Sequence, residues 1–302
     1  MVCNNKKTNK EWMEAKVFTK QKALPAVSSI LDDLGVDGLI KEKVKDEVSD
    51  DNLMVKFYLP VDKSLEAKLS VLKSKIKHLP DYDIDLGSGR IECESISDQD
   101  WRESWKENFK SKQVTDKLVI KPTWEDYQPK PEEKVIEIDP GMAFGTGSHV
   151  TTTMCLEAIE EYSSQYSDLL DIGTGTGILS IGAYLLGIED ITAIDIDETA
   201  VRIAKENLKL NGISQGVKVE QGNLAEEVDN SYGLVVANLL PHIILDLIPN
   251  LRQLIDQEGI FILSGITQEK KKRIKEELKE FSLKVIEVKD SGDWVTLIGE
   301  RC

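Results

Sequence analysis

The chain is short of the residues that metal and disulfide chemistry require. Four cysteines (Cys3, Cys93, Cys155, Cys302) and three histidines (His78, His149, His242) are scattered over 302 residues, with no Cys-x-x-Cys pair and no metal-ligand spacing. Neither a zinc site nor a disulfide framework is indicated, and no metal is expected. Long hydrophobic runs are lacking too. Stretches such as Ile243-Ile244-Leu245 meet a charge within a few residues, far short of the roughly 20 apolar positions that cross a bilayer. No apolar segment follows the polar, lysine-rich stretch from Met1 to Lys10, so no secretory leader and no membrane contact are expected, and the cytoplasm is the expected location. Basic charge is in deficit: 38 Lys and Arg against 54 Asp and Glu give a formal net charge of −16. Such a balance argues against nonspecific nucleic-acid binding, which needs a basic surface to displace counterions, and favours a basic protein as partner.

With 40% hydrophobic and 30% charged residues, the chain can bury a substantial core, and its length suggests two domains. The first hundred residues alternate between strand and helix periods. Strands are predicted over 11–19, 36–44, 53–59 and 90–96, and helices over 23–34 and 65–76. The resulting order βαββαβ is that of a ferredoxin-like α+β domain, assigned to residues 1–97. Trp101, Trp105 and Phe109 recur at i, i+4 and i+8 behind the capping run Ser97-Asp98-Gln99-Asp100, which predicts a linker helix over 98–113 with an aromatic packing face. Residues 114–302 form the third segment. Two short strands, 118–120 and 135–138, flank a proline-marked loop and could pair. From Val150 onward helices alternate with strands at about 168–172, 190–195, 216–221, 232–237 and 259–264. The intervening helices are predicted at 177–187, 198–211, 241–255 and 268–280. Two final strands, 283–288 and 294–299, are close enough to be antiparallel neighbours. This is the pattern of an α/β, doubly wound seven-stranded sheet.

One stretch carries most of the chemistry. Leu169-Leu170-Asp171-Ile172-Gly173-Thr174-Gly175-Thr176-Gly177 reads as a buried strand running into a glycine-rich turn, and Ile191-Thr192-Ala193-Ile194-Asp195 as a second strand ending in a carboxylate. Glycines at 173, 175 and 177 allow a tight bend and close approach to a ligand, and an acidic side chain at the end of the next strand can accept hydrogen bonds from both ribose hydroxyls. The spacing does not match Gly-x-Gly-x-x-Gly from either Gly173 or Gly175, and Asp171 would repel a pyrophosphate. The Asp-x-Gly-x-Gly-x-Gly pattern instead resembles motif I of class I S-adenosylmethionine-dependent methyltransferases, which implies S-adenosyl-L-methionine as cofactor.

Four further segments sharpen the resemblance. They are Asp139-Pro140-Gly141-Met142-Ala143-Phe144-Gly145-Thr146-Gly147-Ser148-His149-Val150-Thr151-Thr152, Val236-Ala237-Asn238-Leu239-Leu240-Pro241, Asp100-Trp101-Arg102-Glu103-Ser104-Trp105-Lys106 and Gly292-Asp293-Trp294-Val295. Together they closely resemble the PrmA family of bacterial ribosomal protein methyltransferases, from about residue 11 to 300. Ser148 replaces a threonine common in that family, a change that keeps the hydroxyl. The resemblance implies an amino-terminal domain that recognises large-subunit ribosomal protein eleven and a carboxyl-terminal domain that methylates its amines, lysine ε-amines and the N-terminal α-amine. It also implies cofactor contacts at Thr152, Gly173, Asp195 and Asn238. A monomer with no nucleic-acid requirement is expected.

The chemistry asks little of acid–base groups. At pH 7 a lysine of pKa about 10.4 costs roughly 4–5 kcal/mol to deprotonate, and an α-amine near 8 only about 1. A neighbouring sulfonium and a dry pocket lower both costs. His149 therefore reads as a loop imidazole rather than a base, and no catalytic residue is assigned. Leu239 and Leu240 stand where methyltransferases of planar amides and adenine commonly carry an aromatic ring, which favours an aliphatic amine. Two other readings stay open on the sequence: a methyltransferase of a small-molecule amine, and a non-catalytic adenosyl-binding scaffold.

Overall fold

The computed structural model describes residues 11–34, 36, 39–44, 51–82, 84–97, 109–139, 147, 149–224, 228 and 230–302. Two compact units divide the chain, Met1–Phe109 and Lys110–Cys302. Most of the linker helix predicted over 98–113 falls on residues 98–108, outside the described residues. Its end departs from the prediction, because Lys112–Gln113 is a short strand, not helix.

In the first unit, β1 (Glu11–Lys20), α1 (Leu24–Asp33), β2 (Ile40–Lys43), β3 (Asn52–Pro60), α2 (Leu65–His78) and β4 (Ile91–Ser97) follow the predicted order. The strands pair as β2-β3-β1-β4, all antiparallel. Alternation decides which face is buried. Ala15 and Val17 on β1 and Val55, Phe57 and Leu59 on β3 meet Val27, Ile30 and Leu31 of α1 and Leu65, Leu72 and Ile76 of α2 in one core. The opposite face is amphipathic, with Trp12 and Tyr58 among Ile40 and Ile96 and Glu14 taking a hydrogen bond from the Tyr58 hydroxyl (2.9 Å) beside Lys16.

The second unit opens with a small sheet of β5 (Lys112–Gln113), β6 (Leu118–Pro122) and β7 (Lys134–Ile138), in which β6 and β7 pair in parallel. Then come α3 (Val150–Tyr162), β8 (Asp168–Ile172), α4 (Ile178–Leu185), β9 (Asp190–Asp195), α5 (Glu198–Leu210), β10 (Val217–Gln221), β11 (Tyr232–Asn238), α6 (Pro241–Leu254), β12 (Ile255–Thr267), α7 (Gln268–Glu280), β13 (Leu283–Ser291) and β14 (Trp294–Arg301). The seven strands from β8 onward order as β10-β9-β8-β11-β12-β14-β13, parallel except for β14, which is antiparallel to both its neighbours. β11 is buried from Tyr232 through Ala237 without alternation, as a central strand covered on both faces must be. Helices α6 and α7 close one face through Ile244, Leu247, Ile248, Leu251, Ile274 and Leu278. No described helix is long and apolar enough to cross a membrane.

Candidate active site

The strand order fixes where a ligand can sit. From β8 the chain moves outward to β9 and β10, then crosses back to β11 on the other side of β8. At such a reversal the loops leaving the two central strands diverge and open a crevice at their carboxyl ends. Gly173 follows β8 and Asn238 ends β11, so two of the four predicted site residues flank that crevice.

The glycine loop is built for this position. Gly173, Gly175 and Gly177 have φ of 73°, 56° and 81°, the left-handed region that side-chain-bearing residues avoid. The amides of Gly173 and Thr174 both donate to the Ile194 carbonyl (2.8 and 3.0 Å), which ties the loop to β9. A Cβ on Gly173 would collide with Cδ2 of Leu239, and one on Gly177 would press the Ala204 Cβ at 3.2 Å. The requirement for glycine at 173 thus comes from its backbone angle and from the loop after β11 as much as from room for a ligand.

Two carboxylates face this loop in different states. Asp195, at the end of β9, is half-buried; its Oδ2 accepts from the Gly175 amide (2.9 Å) and its Oδ1 from the Asp197 amide (3.0 Å). Both oxygens keep lone pairs for further donors. Asp171, inside β8, is fully buried. Its Oδ2 accepts hydroxyl hydrogens from Thr174 and Ser180, both at 2.7 Å, while its Oδ1 has no partner among the described residues. Burial pushes its pKa up to about 6 against the two hydroxyls that lower it.

Across the crevice, Thr152 lies in the first turn of α3 with its side chain buried, and Asn238 Nδ2 donates to Thr152 Oγ1 over a long 3.5 Å. Residues 86 positions apart in sequence thus come together. His149 caps α3: its Nδ1 takes the Thr151 amide (3.3 Å) and lies 2.7 Å from the Thr151 hydroxyl. Its ring stands edge-on to Trp294 with centroids 4.9 Å apart, and burial lowers its pKa. Ser264 on β12 donates to the Thr151 carbonyl (3.4 Å) and pairs with the Thr296 hydroxyl (2.6 Å), anchoring the same turn from below. Pro140–Thr146 and Ser148 of the second glycine-rich segment lie outside the described residues.

Residues 11–302 match the family model described as ribosomal protein L11 methyltransferase (PrmA). The chain belongs to the PrmA family. Proteins named ribosomal protein L11 methyltransferase from Exiguobacterium sibiricum and Bacillus cereus are 36% and 39% identical to it. Each alignment covers 96% of this chain and 99% of the relative. A crystal structure titled ribosomal protein L11 methylase, from Lactobacillus delbrueckii subsp. bulgaricus, superposes with a TM-score of 0.61 at 36% identity, covering 64% of this chain and 99% of that one.

Membership makes the chain an S-adenosylmethionine-dependent protein methyltransferase with the class I fold, as the glycine pattern suggested, and separates it from the scaffold and small-molecule readings. Sequence reasoning pointed to the glycine loop, Asp195, Thr152 and Asn238; of these, Asn238 and Thr152 lie 3.5 Å apart and Asp195 is tied to the loop through the Gly175 amide. It passed over two residues. Trp294 was visible in the closing block Gly292–Val295, without a sign of its contact with His149. Asn207, in the last turn of α5, looked like any polar helix position.

Proposed function

We propose that the chain methylates ribosomal protein L11, the substrate named in its relatives, on lysine ε-amines and the N-terminal α-amine. In this reading the domain of residues 1–97 recognises the protein substrate, 98–113 connects, and 114–302 transfers the methyl group. Gly173, Asp195, Thr152 and Asn238 hold the cofactor. The observation that carries the reading is that Gly173 and Asn238 stand at the ends of the two strands flanking the switch point of a PrmA-family sheet, with Thr152 beside Asn238 and Asp195 tied to the glycine loop. S-adenosylmethionine, when bound, supplies an electrophilic methyl group on a positively charged sulfur.

The residues at the crevice fit such a group. The Asp171 carboxylate behind the glycine loop, with an Oδ1 sealed from solvent and unpartnered among the described residues, is a buried negative charge whose field favours a cationic ligand and disfavours a negatively charged pyrophosphate. Asp195 accepts from the ribose hydroxyls while the Gly175 and Asp197 amides fix its plane. Thr152, in the first turn of α3, lends the positive helix end to a carboxylate.

On the substrate side the chain has little to do beyond positioning. Asn238 Nδ2 is engaged with Thr152, and its Oδ1, which has no partner among the described residues, accepts an amine N–H. That contact would orient the nitrogen lone pair toward the methyl donor. Leu239 and the exposed Leu240 make an aliphatic wall suited to a lysine stem, with no ring on which a planar base could stack. Burial lowers the His149 pKa, and its Nδ1 is occupied as a helix cap, so it serves the α3 turn rather than proton transfer.

The test is direct. Purified chain, labelled methyl donor and ribosomal protein L11 from cells lacking the enzyme should give labelled L11, with mass spectrometry placing the label on lysine side chains and the amino terminus. Unlabelled L11, with the donor bound to the enzyme, would overturn the substrate assignment.

A further inference from the structure

β7 lies at the edge of its three-stranded sheet, yet part of its outer edge is taken up. Asn211 Oδ1 accepts the Glu137 amide (2.8 Å), Asn211 Nδ2 donates to the Glu137 carbonyl (2.7 Å), and Asn207 Oδ1 accepts the Asp139 amide (3.3 Å). Alternate residues of a strand present their backbone groups to the same side. Two side-chain amides four residues apart, Asn207 in the last turn of α5 and Asn211 as its C-cap, therefore stand in for a missing fourth strand. For Asn211, edge protection is a sufficient account.

Asn207 does more. Its Nδ2 donates to the Thr176 carbonyl (2.9 Å) between Gly175 and Gly177, and the residue is 2% exposed. One buried amide therefore grips the glycine loop with one end and Asp139, the start of the second glycine-rich segment, with the other. It does so from the helix that begins just after Asp195, with Asp197 as its cap. Asparagine is a poor helix former and expensive to bury, which makes its presence inside α5 informative.

We propose that Asn207 is a positioning residue of the cofactor site: it ties the glycine loop at Thr176 to the chain leaving β7 at Asp139, so that Gly173 and Gly175 keep the placement a ligand needs. The inference rests on reading the glycine loop as the cofactor cradle.

Asn211→Ala is the control: it removes the larger share of the edge pairing and a bond from Nδ2 to the Asn207 carbonyl (2.8 Å), but no contact with the glycine loop. Both Asn207→Ala and Asn211→Ala should lower the melting temperature of the full chain. In calorimetric titration with S-adenosylmethionine, Asn207→Ala should bind at least tenfold more weakly than wild type, and Asn211→Ala within twofold. Asn207→Asp, which keeps the acceptor for Asp139 but sets an oxygen against the Thr176 carbonyl, should also lose at least tenfold, and it carries the test if the alanine variant does not fold. Asn207 variants with wild-type affinity, or an equal loss in Asn211→Ala, would overturn the proposal. A wild-type chain that takes up no cofactor would instead remove the cradle reading beneath it.

Discussion

The two units bury their cores by similar means but end their strands differently. In the first, every strand of β2-β3-β1-β4 runs opposite to its neighbour, so strand ends of both polarities alternate along each edge of the sheet. In the second, β10, β9, β8, β11 and β12 all point one way, which collects five carboxyl ends along one edge. There the chain supplies left-handed glycines, the His149 side-chain cap on α3 and the carboxylate of Asp195. The parallel sheet thereby concentrates polar, strained backbone where a ligand can use it, while the antiparallel one offers a covered core and an amphipathic outer face. Variants that strike either unit should separate ligand binding from folding.

The largest effect is expected from Gly173→Val. The φ of 73° costs a β-branched residue on the order of 1–2 kcal/mol or more, and the new Cβ drives Leu239 out of its place. Cofactor binding, followed by calorimetry, should vanish; wild-type affinity would mean that the loop does not meet the ligand. Asp195→Ala comes next. It deletes two charge-assisted acceptors, each worth roughly 1.5–3 kcal/mol, and frees the Gly175 and Asp197 amides as well. An unchanged dissociation constant would remove Asp195 from the site.

The converse variant belongs to the first unit. Phe57 is fully buried between β3 and the two helices, so Phe57→Ala should destabilise that unit by about 3–5 kcal/mol. Affinity for S-adenosylmethionine should stay within twofold, while turnover of the protein substrate falls. A tenfold loss of cofactor affinity would break the division of labour between the units.

Much of this arrangement is legible in the sequence because local rules and tertiary packing agree. Periodicity alone finds β8 at Asp168–Ile172 and β9 at Asp190–Asp195, since central parallel strands read as unbroken apolar runs between turn signals. It fails where strands leave the core. β12 starts at Ile255, not at 259, because the polar residues Asp256–Glu258 look like a turn although the strand already pairs Ile255 with Tyr232. β13 likewise runs on to Ser291 through exposed polar positions held by cross-strand pairing with β14. At the site, glycine spacing marks the loop, but the contact of Asn238 with Thr152 and the staple formed by Asn207 depend on pairs far apart in the chain. No local pattern encodes them.

The last effect, spread over a pH range rather than read at one condition, sharpens the comparison most, because it isolates a single buried charge in the second unit. Asp171 has its pKa raised from 3.8 to about 6, chiefly by burial. A carboxyl that is harder to ionise in the folded state stabilises the fold fully below its unfolded pKa, and that stability is lost as pH rises through about 6. The loss amounts to roughly 3 kcal/mol across the window. Cofactor-free enzyme should therefore lose stability between about pH 4 and 6.5 in denaturant titrations, against a background set by other groups. Asp171→Asn should flatten that component, because its amide has no proton to lose. A cationic ligand held near the Asp171 carboxylate favours its ionised form, so saturating S-adenosylmethionine should also flatten the slope in the wild type and should do so less in Asp171→Asn. If the wild-type profile with cofactor ran parallel to the profile without it, the buried carboxylate and the bound cation would be uncoupled, and Asp171 would be reduced to holding Thr174 and Ser180 in place.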